Sequence, residues 1–164
     1  MKALRYQSQR GIMLIEGIIG MLIFLIGILA MLGLQATAIA VQSDAQYRIE
    51  AGNLVDRMLG DINTGVTRDS MGTVTAASLA AFQHQPTGAA NTCNFSGGVS
   101  ANDAVTDWVS AIRTTTKTSG LPGSTASMQQ ILVSGAYNQV SITVCWQGAN
   151  DKAPRNHTVI SYIN

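Results

Sequence analysis

The hydrophobic and polar positions along this chain follow two different rules. From Ile12 to Leu34 the apolar residues run without interruption: the stretch holds no Lys, Arg, Asp, Asn, Gln or Pro, and its one charge is Glu16. As a helix it would extend roughly 34 Å, enough to cross a hydrocarbon core of about 30 Å. From Tyr47 onward the pattern turns amphipathic. Tyr47, Ala51, Leu54, Val55, Met58 and Ile62 recur at steps of three or four, while Asp44, Arg48, Glu50, Asp56, Arg57 and Asp61 fall mostly on other faces. The spacing predicts one helix that is apolar all round in its first half and striped in its second, ending near Asn63, with Gly60 and Gly65 weakening its close.

After Gly65 the composition shifts to Thr, Ser, Ala, Gly and Asn, which reads as loops and short strands. Val105, Trp108, Val109 and Ile112 have helical spacing, and Ser100-x-x-Asp103 just upstream resembles a capping box. Leu121-Pro122-Gly123-Ser124 is turn chemistry. Ile131 to Val133 and Val140 to Gln147 read as two strands joined around Ser134-Gly135. The second alternates Val140, Ile142, Val144 and Trp146 against Ser141, Thr143, Cys145 and Gln147. His157 to Ile163 is a third strand. The expected fold class is α+β, a long N-terminal helix packed against a small antiparallel-sheet head. The expected organisation is a leader at 1–11, the helix at 12–64 with its membrane-spanning part at 12–34, and a globular head at 65–164.

Charge orients the apolar segment. Lys2, Arg5 and Arg10 precede it and the first basic residue after it is Arg48, so the positive-inside bias keeps the N-terminus in the cytoplasm and sends the head across. A net charge of +1 with only 12% charged residues offers no electrostatic footprint for nucleic acid. Two other readings of the segment stand beside this one. A secretory signal peptide finds small-x-small sites at Ala36-Thr37-Ala38 and Ala38-Ile39-Ala40, but the run exceeds the roughly 7–15 residues of a signal core and contains a carboxylate. A plain membrane anchor leaves Glu16 without a reason, because an acidic group at the centre of a membrane helix costs roughly 3 kcal/mol. Glu16 lies one helical turn beyond Ile12. If the chain were cut between Gly11 and Ile12, the new amino group of Ile12 would be a cation able to neutralise Glu16 of a neighbouring copy in a packed bundle.

A short basic leader ending in glycine, a hydrophobic residue, Glu at the fifth position thereafter and a long apolar helix together resemble the class III signal of type IV pilins and type II secretion pseudopilins. Here the motif is Arg10-Gly11, then Ile12-Met13-Leu14-Ile15-Glu16. Common family members have Phe or Met first and Thr before Leu, so Ile12 and Met13 depart from the usual pattern. In the head, Asp107-Trp108, Leu121-Pro122-Gly123 and the strand Val140-x-Ile142-x-Val144-x-Trp146 are similar to minor pilins of the PilV type, as is Gly27 to Gln35; Gln147 and Gly148 stand where an acidic residue is usual after the tryptophan.

The resemblance implies a lollipop fold and cleavage after Gly11 by a prepilin peptidase, with N-methylation of Ile12 and a subunit-assembly role for Glu16. It further implies a non-enzymatic subunit of the type IV pilus that takes part in priming and assembly and so supports adhesion and twitching motility. Its partners would be other minor pilins, the major pilin, the inner-membrane assembly machinery and a pilus-tip adhesin. The chain would sit in the bacterial inner membrane with its head in the periplasm before incorporation into the pilus. A minor pseudopilin of a type II secretion system shares the N-terminal logic, and a membrane-anchored envelope protein is a third reading. Gly17, Gly20, Gly27, Ala30 and Gly33 leave a thin face where a neighbouring helix could approach.

Cys93 and Cys145 are the only cysteines, and both lie on the expected outer side, where an oxidising compartment would let them pair within the chain; free thiols or an intermolecular bridge are the alternatives. His84 and His157 have no metal-ligand spacing, no glycine-rich phosphate loop follows a strand, and neither a cofactor nor a metal is expected. Trp108 and Trp146 read as core anchors. Asn156-His157-Thr158 matches a glycosylation acceptor pattern by coincidence of composition.

Overall fold

The computed structural model describes residues 10–114, 120–135 and 137–164, of which Arg10 and Gly11 are described by their backbone alone. Its elements are α1 (Arg10–Gly65), α2 (Ala76–Ala80), α3 (Asp103–Arg113), and the strands β1 (Gln129–Ser134), β2 (Gln139–Trp146) and β3 (Arg155–Tyr162), with short 3-10 turns at Ala90–Thr92 and Ala126–Met128. The fold is α+β, with a long N-terminal apolar helix and a three-stranded antiparallel sheet in the order β1-β2-β3. The expected leader falls almost wholly on residues 1–9 and lies outside the described residues.

The chain divides into two compact units after Asp44. In the first, every described side chain from Ile12 to Val41 is exposed, including Ile12, Phe24 and Leu34 at 66%, 67% and 73%. The helix here is long and apolar enough to cross a membrane. Thr37 donates its hydroxyl to the Gly33 carbonyl at 3.2 Å, a bond within the helix.

The second unit begins inside α1. Residues 45–64 fall in the same compact unit as the head. The reason is the amphipathic stripe: Ala51, Leu54, Val55, Met58 and Ile62 are buried and Tyr47 packs at their edge. They meet Val105, Trp108, Val109 and Ile112 of α3 and the inner sheet face of Ile131, Val140, Ile142, Val144 and Trp146. Period 3.6 in the helices and period 2 in β2 thus converge on one core. Gly65 closes α1 where a side chain would collide with the Phe82 ring.

Helix α3 starts differently from the capping-box expectation. Asn102 is the N-cap, its side-chain carbonyl accepting the Ala104 N–H at 3.0 Å. Ser100 instead accepts the Asn102 N–H and donates to the Ala81 carbonyl at 2.7 Å, which ties the preceding loop to the helix entrance. Asn102 wins because it stands next to the helix, within reach of the first-turn donors, whereas Ser100 lies two residues further out.

β1 is longer than expected at both ends, whereas β2 and β3 begin earlier than expected and each stop one residue sooner. Their register carries Ile131, Ile142 and Val159 in one row and Gln130, Thr143 and Thr158 in the next, on the opposite face. That second face is covered at one end. Thr143 and Cys145 are buried there, and the segment from 85 to 99 lies over them through Gln130, whose amide donates to the carbonyls of Gln85 at 3.1 Å and Gly88 at 3.3 Å. No strand forms between residues 66 and 99. The short strands expected there are single bridges, Arg68 with Val74 and Thr87 with Ser96, because glycine and proline punctuate the segment too often for a ladder.

Cys93 and Cys145 form an intrachain disulfide with Cα atoms 5.7 Å apart, beside the buried Phe95 and Met128. It ties the 85–99 segment to the central strand across 52 positions. In the chain-entropy treatment such a loop stabilises the head by about 4 kcal/mol. Cys93→Ser with Cys145→Ser is expected to lower the urea midpoint of unfolding accordingly, with an equal loss in the wild type under reduction; an unchanged midpoint in the double variant would contradict this.

Candidate functional site

Two kinds of site follow from the fold: the apolar helix with its one carboxylate, and the polar groups of the head. On α1, Ile12 and Glu16 both lie exposed, and Glu16 is four residues on, hence on the same helix face as Ile12. Gly17, Gly20, Gly27 and Gly33 have open space around the position a side chain would take. Gly11, at the expected cut, has its backbone within α1.

In the head, the polar residues that sequence periodicity passes over are the ones that fasten loops to the sheet. His84 is buried, and its backbone exchanges both hydrogen bonds with Ile131, at 3.0 and 2.9 Å, which closes part of the outer edge of β1. Its imidazole Nδ1 accepts the Ser100 N–H at 3.3 Å. That bond requires an unprotonated Nδ1. Burial pushes the imidazole pKa below its ordinary value, and the Ala126 carbonyl offsets the push in part.

The consequence for stability has a definite sign. Because the folded pKa is lowered, the unfolded chain binds the proton first as pH falls; stability is complete above about pH 6.5 and declines as pH drops through the folded value. Thermal unfolding of the purified protein should show a lower midpoint at pH 5 than at pH 7.5. His84→Asn, which supplies a non-titrating acceptor for Ser100, should flatten that slope; an unaltered slope would assign it elsewhere.

A second fastening lies after β2. Asp151 takes Arg155 in a two-pronged pair, at 2.8 Å to Nη2 and 3.0 Å to Nε, and accepts the Gly148 N–H at 3.0 Å. The Arg155 bond, followed by the Gly148 N–H and the nearby positive charge of Arg155 and Arg48, holds its carboxyl below the usual carboxylate range. Its protonation belongs to a window below about pH 4, separate from that of His84. Gln147 donates its side-chain amide to the Asp151 carbonyl, so the β2–β3 connection is closed from within. Gly123, at φ 61°, lets the Leu121–Ser124 turn pass directly against the Gln147 carbonyl.

Among the described residues no three His, Cys, Asp or Glu groups gather closely enough to hold a metal. An open groove of about 380 Å³ is lined by Ala80, Ala81, Gln83, Pro86, Gly98, Val99 and Ser100, with no acid, base or thiol in its wall. Trp108 and Trp146 are both buried in the core, as expected of anchors. The pairing of Cys93 with Cys145 is the one expected site that the head itself assembles. His84, Gln130 and Asp151 are residues that sequence reasoning missed; a buried polar side chain in a loop leaves no periodic trace.

No family model matches the chain, and no curated protein or solved structure is found to be similar to it.

Proposed function

We propose that this chain is a minor pilin of the type IV pilus, a non-enzymatic structural subunit that helps prime and assemble the fibre and thereby supports adhesion and twitching motility. The observation that carries the reading is the exposed apolar helix with a single carboxylate, Glu16, one turn after Ile12 and directly behind the basic leader that ends in Gly11. A plain anchor gains nothing from that carboxylate, whereas a helix that leaves the bilayer to pack among other pilin helices uses it as the partner of a neighbour's N-terminal amine.

In this reading a prepilin peptidase cuts between Gly11 and Ile12, and Ile12 is N-methylated. The helix waits in the bacterial inner membrane with the head in the periplasm, then passes into the fibre beside the major pilin and other minor pilins, driven by the inner-membrane assembly machinery and displayed with a pilus-tip adhesin. The disulfide suits that oxidising compartment, and a head built on loop fastenings with no acid–base pair in its groove suits an assembly subunit.

A minor pseudopilin of a type II secretion system is the second reading, favoured by the same N-terminal residues. Deleting the gene and scoring both phenotypes separates the two. The pilus reading expects surface pili to fall and secreted enzymes to stay at wild-type levels; the opposite pattern would transfer the protein to the secretion machine.

A further inference from the structure

The two edges of the sheet are treated differently. On the β1 side, His84 pairs with Ile131 and the Gln130 side chain binds the overlying segment. On the β3 side, none of the described residues adds a further strand. The Ile163 N–H reaches the Asn138 carbonyl at 3.1 Å, and in an antiparallel ladder this phase gives the odd residues of β3 to β2 and turns the backbone groups of Asn156, Thr158, Ile160 and Tyr162 outward. These four backbone N–H and C=O pairs have no partner among the described residues.

The ends of that edge are occupied. Arg68 donates to the Asn164 carbonyl at 2.8 Å, and the 3-10 turn at Ala90–Thr92 lies against the Arg155 end, where the Arg155 carbonyl is near the Cys93 sulfur. The open run is therefore centred on Thr158 to Tyr162. Its side chains are uncharged, and Ile160 and Tyr162 are 59% and 54% exposed. Proteins ordinarily blunt such an edge with charge, proline or a bulge, and none is present here. Lateral bonds already order the run: Thr158 shares a hydroxyl contact with Thr143 at 2.9 Å, and the Tyr162 hydroxyl accepts from Gln139 at 3.0 Å.

We propose that β3 pairs antiparallel with β3 of a second copy of this chain, with Ile160 opposite Ile160 of the second copy. The segment is self-complementary in this register. Ile160 meets its own counterpart at the two-fold axis, and each Tyr162 stands opposite a Thr158, an aromatic against a β-branched residue, the kind of cross-strand pair that stabilises sheets. No charged side chain meets a like charge, and about six backbone hydrogen bonds form from three residue pairs. Such an edge buries less than the roughly 800 Å² per partner of a standard interface, so pairing depends on high local concentration. Two chains held in one membrane by α1 have that concentration. This last step rests on the membrane anchoring proposed above, and recovery of the chain in the membrane fraction checks it separately.

The test is Ile160→Cys in the full chain, oxidised mildly in membranes and compared with Met71→Cys, whose parent side chain is 87% exposed and lies outside the strand. A native Cys93–Cys145 bond that resists alkylation confirms that each variant is folded. Pairing predicts disulfide-linked dimer at least about tenfold above Met71→Cys, falling to that level when Thr158→Pro is added, since proline removes an outward N–H without touching the β2 ladder. Equal yields from the two cysteines, a dimer indifferent to Thr158→Pro, or a crosslink to a different protein alone would overturn the proposal.

Discussion

Glu16→Ala and Glu16→Gln should leave the chain fully inserted in the membrane while its recovery in sheared surface fibres drops about tenfold or more. The first half of this expectation follows from transfer energies. An acidic side chain inside a membrane helix costs up to roughly 3 kcal/mol, so removing it eases insertion. The second half follows from what happens when the helix leaves lipid for a bundle of like helices. There a neighbour's amine would be buried beside the position of Glu16, and breaking a buried pair by deleting one partner costs about 3–5 kcal/mol because the other charge is left alone. A tenfold change needs only about 1.4 kcal/mol, so a pair that keeps half of the smaller figure is enough. Glu16→Asp, which keeps the charge on a shorter arm, should recover part of the incorporation. Normal incorporation of both neutral variants would remove the carboxylate from the assembly step.

Trp108→Ala should destabilise the head by about 3–5 kcal/mol, a large share of the roughly 5–15 kcal/mol that holds a domain of this size together. The indole is wholly buried in the core, and its Nε1–H donates to the Leu54 carbonyl of α1 at 2.8 Å. Alanine leaves a cavity in the core cluster, whose members stand on helices and strands with little freedom to close it. Trp108→Phe retains most of the ring and loses the bond, for an expected cost nearer 1 kcal/mol from the bond together with a smaller cavity term. Urea unfolding of the purified variants measures both. An alanine variant within 1 kcal/mol of wild type would mean that the core does not depend on this contact.

These effects trace back to residues that were readable at different levels. The α1 stripe, the α3 positions from Val105 to Ile112 and the alternation of β2 follow from hydrophobic period alone, because each element buries one face and water selects for it at every repeat. The cap of α3 was misplaced by two residues: both Ser100 and Asn102 have the right chemistry, and only the local backbone decides which reaches the helix donors. The segment from 66 to 99 was opaque for a different reason. Its structure rests on single bridges, the His84 imidazole, the Gln130 amide and a disulfide, interactions between residues far apart in sequence that leave no local pattern. The edge of β3 belongs to the same class, since its openness depends on what the rest of the chain does not cover. For α1, the motif around Gly11, Ile12 and Glu16 is legible in sequence, while its meaning depends on processing and partners outside the folded chain.

The mass of the N-terminal peptide, taken from cells with and without the prepilin peptidase, tests pilin processing most directly. A mature chain that begins at Ile12 with one added methyl group, and reverts to an uncut leader when the peptidase is absent, is the predicted result. An intact Met1 in both strains would make α1 a plain anchor, and a peptidase-independent start at Ile39 or Val41 would make the segment a secretory signal; either would contradict the pilin assignment.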